Sequence, residues 1–129
     1  MLYRSGKLED LPEITKLVSQ SNYYLPTDAS AIGGQWVVAE TEDTHEIVGV
    51  VWFFAQPPQA YVDYYYVHPD YRNTMVSAKL LIRLQMEGQK IGVRFVRSMI
   101  RQGNENAARM AMAMNMVVDP GYCLACKEL

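Results

Sequence analysis

The chain has 129 residues, the size of one domain, with half of its residues hydrophobic and one fifth charged. This composition excludes a disordered or fibrous chain, and no apolar run is long enough to span a bilayer. The first ten residues lack the apolar stretch of a signal peptide. We therefore expect a single domain over residues 1–129, located in the cytoplasm and independent of membranes.

The small net charge of −2 hides an uneven distribution. Residues 72–109 carry eight basic and two acidic side chains, whereas the rest of the chain carries four basic and twelve acidic ones. A basic segment in an acidic chain favours an anionic ligand at one part of the surface. Two alternatives remain, a nucleic acid or helix faces that are simply solvated by arginine and lysine.

The N-terminal elements are a short strand at Leu2–Arg4 and a helix that begins near Asp10. Asp10 is a suitable helix cap, Pro12 is tolerated in a first turn, and Glu13 occupies the capping-box position. Residues 21–34 are rich in serine, asparagine, aspartate and glycine, which is typical of a loop.

Three predicted strands follow this loop in a meander. They are Gln35–Glu40, Ile47–Phe54 and Ala60–Val67, and all three are rich in valine and aromatic residues. The polar residues 41–46 form the first turn, and Pro57-Pro58 interrupts the chain before the third strand.

The C-terminal half alternates helices and strands. Leucines at helical spacing predict a helix over Val76–Lys90, and the methionine-rich segment from Asn104 to Met114 is assigned to a helix despite a partial period of two. The predicted strands of this half are Phe95–Ile100, Val117–Val118 and Tyr122–Lys127. The order is β-α-β-β-β-α-β-α-β-β, which excludes a doubly wound parallel sheet.

The two cysteines, Cys123 and Cys126, lie in one predicted strand. Residues three apart in a strand point to opposite faces, so a shared metal ion is geometrically poor. The only histidines are His45 and His68, which supply no second ligand pair. We expect reduced structural thiols and no metal site.

The connection between Val67 and Val76 is the best candidate for an anion site. It ends at a helix N-terminus, where backbone N–H groups lack intrahelical acceptors and favour negative charge. Arg72 and Lys79 lie close by in the sequence and add positive charge.

Several segments, in the right order, resemble the acetyl-CoA-dependent N-acyltransferases of the GNAT family. Val67 to Arg72 resembles the family's V-x-P-x-x-R, and Arg72 to Ser77 falls on its R-x-x-G-x-G/A pyrophosphate loop. Asn104 to Met116 falls on the segment N-x-x-A-x-x-L-Y-x-x-x-G-F, and Trp36 to Glu40 matches the second strand. Asp10 to Ile14 matches the first helix of the family.

The resemblance implies an α/β (α+β) GNAT fold. Its central sheet would be mixed and mostly antiparallel, with six to seven strands and three to four helices. The fourth and fifth strands would splay apart and hold acetyl-CoA as co-substrate between them.

The resemblance also implies roles for individual residues. Val67 would offer its backbone to the thioester end of acetyl-CoA, and Asn104 would reach the pantetheine arm, although Asn104 is equally a helix cap. The amides of the loop would hold the pyrophosphate. The loop residues are Arg72, Asn73, Thr74, Met75, Val76 and Ser77.

Asp63 and Tyr65 are the candidates for handling the proton of the acceptor amine. By alternation they share a strand face with Val67. The alternative for each is structural, an edge aspartate and a core tyrosine.

Three residues depart from the family pattern. Met75 stands where the loop usually has glycine, and Ser77 where it has glycine or alanine. Ala111 stands where the family has a tyrosine that protonates the leaving thiolate.

The implied function is transfer of an acetyl group to a primary amine, either a small molecule or a peptide. The alternative is a catalytically weak or inactive module that binds CoA or a protein partner. A nucleic-acid partner has little support because the basic residues are spread over two helices and a strand, and a homodimer remains open.

Overall fold

The computed structural model describes residues 1–19, 35–72, 74–99, 105–113, 117–119 and 124–128. Within these residues the predicted order of strands and helices is confirmed. The strands are β1 (Leu2–Ser5), β2 (Gln35–Glu40), β3 (Ile47–Gln56), β4 (Gln59–Val67), β5 (Phe95–Met99), β6 (Val117–Asp119) and β7 (Leu124–Glu128). The helices are α1 (Leu11–Val18), α2 (Val76–Lys90) and α3 (Glu105–Ala113). Short 3-10 turns at Leu8–Asp10 and Pro69–Tyr71 precede α1 and α2.

All seven strands form one sheet in the order β1-β2-β3-β4-β5-β7-β6. Only β4 and β5 are parallel, and the other neighbours are antiparallel. This arrangement is the mixed, mostly antiparallel sheet that the resemblance implied. In the described part of the chain, no helix has the length and apolar character needed to cross a membrane.

The start of α1 differs from the sequence-based expectation. Asp10 precedes α1 but its side chain makes no cap hydrogen bond to that helix; it accepts a hydrogen bond from the Lys7 amide at 2.7 Å. Glu13 is not a capping-box partner either, because its carboxylate accepts from the Ile47 amide at 2.9 Å. The register of β2 and β3 shifts beside Ile47, and the Glu13 carboxylate gives this amide a hydrogen-bond acceptor from the helix.

The sheet is covered on both faces, and each face has its own core. Between α2 and the sheet, the buried side chains include Val37, Val51 and Phe53 of the strands and Leu80 and Leu84 of the helix. Beneath α1, on the opposite face, they include Ile14, Leu17, Val50, Trp52 and Tyr66. Each buried side chain of a central strand therefore packs either against α1 or against α2.

Strand β4 pairs with its two neighbours over different lengths. Its pairing with β3 continues to Val67, which lies opposite Gly49. Its described pairing with β5 covers only Gln59 to Val62. From Asp63 onwards, no described residue of β5 pairs with β4, so the predicted splaying of these strands is confirmed.

A β-bulge at Asp63 marks the point where β4 leaves β5. Trp52 lies opposite Tyr64 and the next residue, Phe53, lies opposite Val62, so Asp63 has no residue opposite it in β3. Such an insertion bends the strand and reverses its alternation. As a result, Val62 and Tyr65 both pack towards α2, while Tyr64 packs towards α1.

Candidate functional site: the open edge of β4 and the start of α2

The backbone of Val67 faces the open edge of β4. The amide of the next residue, His68, donates to Val48 in β3 at 2.8 Å. Because C=O and N–H groups of a trans peptide point in opposite directions, the Val67 carbonyl points away from β3. In an extended strand the N–H of a residue lies on the same side as its carbonyl, so Val67 presents both groups to the space between β4 and β5.

A threonine hydroxyl caps the start of α2, where the loop after β4 ends. The Thr74 hydroxyl donates to the Tyr71 carbonyl and accepts from the Val76 amide at 3.3 Å. Thr74 thus acts as a side-chain cap one residue before Met75, the N-cap residue by backbone position. The sequence predicts Thr74 as a loop residue and not as this cap, which a threonine two residues before a helix could have indicated.

The first turn of α2 offers backbone N–H groups. The Lys79 amide donates to the Met75 carbonyl at 3.0 Å, which begins the helical ladder. The amides of Ser77 and Ala78 precede that bond and therefore have no intrahelical acceptor. Together with the helix dipole, such amides suit a phosphate group.

Tyr65 connects β4 to this same turn. It packs against the α2 side of the sheet, on the face it shares with Val67, as alternation predicts. Burial raises the pKa of the Tyr65 phenol to about 12, with a side-chain hydrogen bond to Ser77 acting in the opposite direction. At neutral pH Tyr65 is therefore a protonated phenol, which is poorly suited to take a proton from an amine.

Arg72 contacts the strand instead of the helix start. Its Nε donates to the Val67 carbonyl at 3.0 Å. Its guanidinium carbon lies 5.3 Å from the centre of the Tyr66 ring. No local pattern in the sequence links Tyr66 to Arg72.

The other predicted site residues lie at different depths. Met75 is 61% exposed and has a φ of −75°, a conformation open to any residue. Val76, the first residue of α2, is buried in the core between α2 and the sheet. The backbone of Asp63 forms the bulge, but its side chain lies outside the described part, as do the whole of Asn73 and Asn104. Ala111, in α3, is buried.

The described side chains around the loop carry positive charge but no metal ligands in a cluster. Lys79, at the end of the first turn of α2, lies with its Nζ 5.9 Å from the centre of the Tyr3 ring. Among the described residues, no three His, Cys, Asp or Glu side chains are grouped so as to hold a metal ion. The described groups at this place are backbone amides and basic side chains, which suit an anionic ligand.

The sequence profile of the acetyltransferase (GNAT) family matches residues 8–116. The chain belongs to the GNAT family. This assignment places the open edge of β4 and the start of α2 within the matched segment. No curated protein matches the sequence.

Solved GNAT structures share the fold at low identity. PaiA N-acetyltransferase from Thermoplasma acidophilum, in complex with coenzyme A, has a TM-score of 0.80 at 14% identity, with 100% of both chains covered. A ribosomal-protein-alanine N-acetyltransferase from Brucella melitensis has a TM-score of 0.77 at 16% identity, again with 100% of both chains covered. An aminoglycoside N-acetyltransferase in complex with CoA has a TM-score of 0.73 at 17% identity, with 88% of this chain and 89% of that chain covered.

Proposed function

We propose that this GNAT protein transfers the acetyl group of acetyl-CoA to a primary amine by direct attack in a ternary complex. The observation that carries the proposal is the position of Val67, whose N–H and C=O face the open edge of β4 next to the start of α2. A thioester carbonyl at this edge and a pyrophosphate at the amides of Ser77 and Ala78 are the two ends of one extended ligand.

In the reaction, the amine nitrogen attacks the acetyl carbon, the C–N bond forms, and the C–S bond breaks. The Val67 N–H stabilises the negative charge that develops on the acetyl oxygen. The amine proton passes to water or to Asp63, since the Tyr65 phenol stays protonated. Asn104 is assigned to the pantetheine arm on the strength of the family resemblance.

The thiolate leaves without help from the residue that usually protonates it, because Ala111 has no hydroxyl. A thiol with a pKa of ~8.5 is a tolerable leaving group at neutral pH. Losing a general acid typically slows a reaction roughly 10²–10⁴-fold. Ala111 therefore predicts a slow enzyme and also favours the second candidate function, a module that binds CoA without turnover.

The acceptor is an amine on a small molecule or a peptide. The names of the structural neighbours include both a protein alanine and an aminoglycoside as acceptors. These two acceptors are chemically very different, although the two proteins have similar TM-scores to this chain. The shared fold therefore supports an amine acceptor in general, and the assay below identifies which amine is used.

Two measurements test the function. Acetyl-CoA at ~100 times its Kd should stabilise the folded chain by roughly 2.7 kcal/mol, while acetate should leave the Tm unchanged. Release of free CoA thiol is then followed with polyamines, aminoglycosides and peptides with free N-termini as acceptors. Absence of any Tm shift at millimolar acetyl-CoA would rule out both candidates, whereas a shift without thiol release on any acceptor supports the binding module.

A further inference from the structure

We infer that Arg72 is a positioning residue, which orients the backbone of Val67 at the open edge of β4 instead of binding the phosphates of CoA. The inference rests on the proposed function, because it concerns the same cleft. It departs from the family resemblance, which places Arg72 in the pyrophosphate loop. The carrying observation is the 3.0 Å hydrogen bond from Arg72 Nε to the Val67 carbonyl.

Among the described residues, the Val67 carbonyl pairs with none of β5. It points towards the side of β4 where the described pairing with β5 has ended at Val62. Arg72 supplies a charged donor at this carbonyl, and such bonds are stronger than those between neutral groups. Holding the carbonyl also fixes the direction of the Val67 N–H, because both groups belong to one extended residue.

The direction of the guanidinium argues against phosphate contact. It lies over Tyr66, which packs towards α1, whereas α2 covers the other face of the sheet. The amides of Ser77 and Ala78 are therefore on the far side of β4 from the ring that supports Arg72. Stacking on an aromatic ring gives the guanidinium a preferred orientation even where it is partly exposed.

Two substitutions separate the hydrogen bond from the charge. In Arg72→Gln, the side-chain amide nitrogen occupies the same place in the covalent chain as Arg Nε, so it can donate to the Val67 carbonyl without any charge. In Arg72→Lys, the charge remains, but a carbon replaces Nε at that place and the planar donor is lost. Arg72→Ala removes both properties.

The variants are titrated with CoA and with pantetheine, which lacks phosphates. If Arg72 positions Val67, Arg72→Lys and Arg72→Ala raise the Kd of both ligands by the same factor, about tenfold. Arg72→Gln then stays within about twofold of the wild-type protein for both. The opposite pattern, in which Lys preserves CoA affinity while Gln loses it for CoA alone, would show that Arg72 binds phosphate and would overturn the inference.

The carbonyl ¹³C chemical shift of Val67 gives a readout that needs no ligand. We expect Arg72→Gln to keep the wild-type shift in the free protein, and Arg72→Lys and Arg72→Ala to change it together. An unchanged shift in all three variants would overturn the inference even if CoA affinity fell. Should the wild-type chain bind neither ligand, the proposed function fails, and the ¹³C shift still decides whether Arg72 holds Val67.

Discussion

Gly49 of β3 lies directly beneath Leu80 of α2. A Cβ built on Gly49 would lie 2.8 Å from Leu80 Cδ1, closer than real side chains approach. Leu80 is fully buried, so its side chain cannot move aside freely. Gly49 also lies opposite Val67, so the absence of a side chain at this position sets how closely α2 approaches the strand edge of the candidate site.

Gly49→Ala is expected to lower the free energy of unfolding by about 1–3 kcal/mol, because an added methyl group overpacks this contact. Displacement of α2 should also weaken CoA binding. Urea unfolding measures the first effect and calorimetric titration the second. Gly88→Ala is the matched control: its Cβ would lie 3.2 Å from Val93 Cβ at the other end of α2, so CoA affinity should be unchanged. A Gly49→Ala protein as stable as wild type would contradict the close contact.

The raised pKa of Tyr65 predicts that the protein loses stability at alkaline pH. The pKa of its phenol is raised from 10.0 to about 12 by burial, so folding favours the neutral form. A raised folded pKa contributes stability that is fully present below pH 10 and is lost as the pH rises through 12. The loss should amount to roughly 1–3 kcal/mol in urea unfolding between pH 9 and pH 12.

Tyr65→Phe should remove most of this pH dependence. At pH 7 it should cost about 0.5–1.5 kcal/mol, because the hydrogen bond to Ser77 is lost. Tyr61→Phe is the control, since Tyr61 is more exposed and its hydroxyl donates to the exposed side chain of Gln59 at 2.7 Å. If both variants keep the wild-type alkaline profile, the Tyr65 phenol is not the group responsible.

Local signals in the sequence are enough to predict the order of the strands and helices and most of their bounds. The predicted helix Val76–Lys90 and strand Gln35–Glu40 agree with the structure residue for residue. Spaced leucines and runs of valine within a few residues encode these elements. The sequence predicts that β3 ends at Phe54, but the strand continues to Gln56, which pairs with Gln59 across the turn.

The geometry of the cleft depends on tertiary contacts that no local sequence pattern predicts. The bulge at Asp63 follows from a register shift against β3, and alternation along β4 alone cannot reveal it. The contact between Arg72 and the Val67 carbonyl depends on the path of the intervening loop. The sequence predicts a site over Val67 to Ser77, but the direction of the Arg72 side chain within it depends on this loop path.

Arg4 of β1 joins β2 and the 3-10 turn before α1 at the edge of the sheet opposite the β4–β5 cleft. Its guanidinium binds Asp10 through two nitrogens at 2.8 and 3.0 Å, and its Nε binds Glu40 at 2.8 Å. These hydrogen bonds to Arg4 hold the pKa of both carboxyls below their usual values. A lowered folded pKa contributes stability that is present above the unfolded pKa, near ~4, and is lost at lower pH.

Arg4→Gln is therefore expected to lower the free energy of unfolding by about 1–3 kcal/mol at pH 7, because two part-buried carboxylates lose their charged partner. The difference from wild type should shrink as the pH falls below about 4, and CoA affinity at pH 7 should not change. Arg83→Gln, which removes an i,i+4 pair with Glu87 on α2, should cost less than about 0.5 kcal/mol. A constant difference from pH 7 to pH 3 would show that the Arg4 bonds act independently of carboxylate charge.

Met75 tests whether a side chain in the loop limits CoA binding. It is 61% exposed beside the amides that we assign to the pyrophosphate, in the position where the family has glycine. Its negative φ means that the backbone needs no glycine here, so any effect of substitution comes from the side chain or from chain freedom. Met75→Ala is expected to bind CoA several-fold more tightly with little change in stability, because we propose that this side chain crowds the phosphates. Met75→Gly should also bind more tightly but lose up to about 1 kcal/mol of stability, because glycine increases the freedom of the unfolded chain. Calorimetric titration with CoA and urea unfolding measure the two effects separately.

Met86→Ala, at an exposed position further along α2, is the control and should leave CoA affinity unchanged. Weaker CoA binding by Met75→Ala would mean that the side chain contacts the ligand favourably, and the crowding explanation would then be wrong.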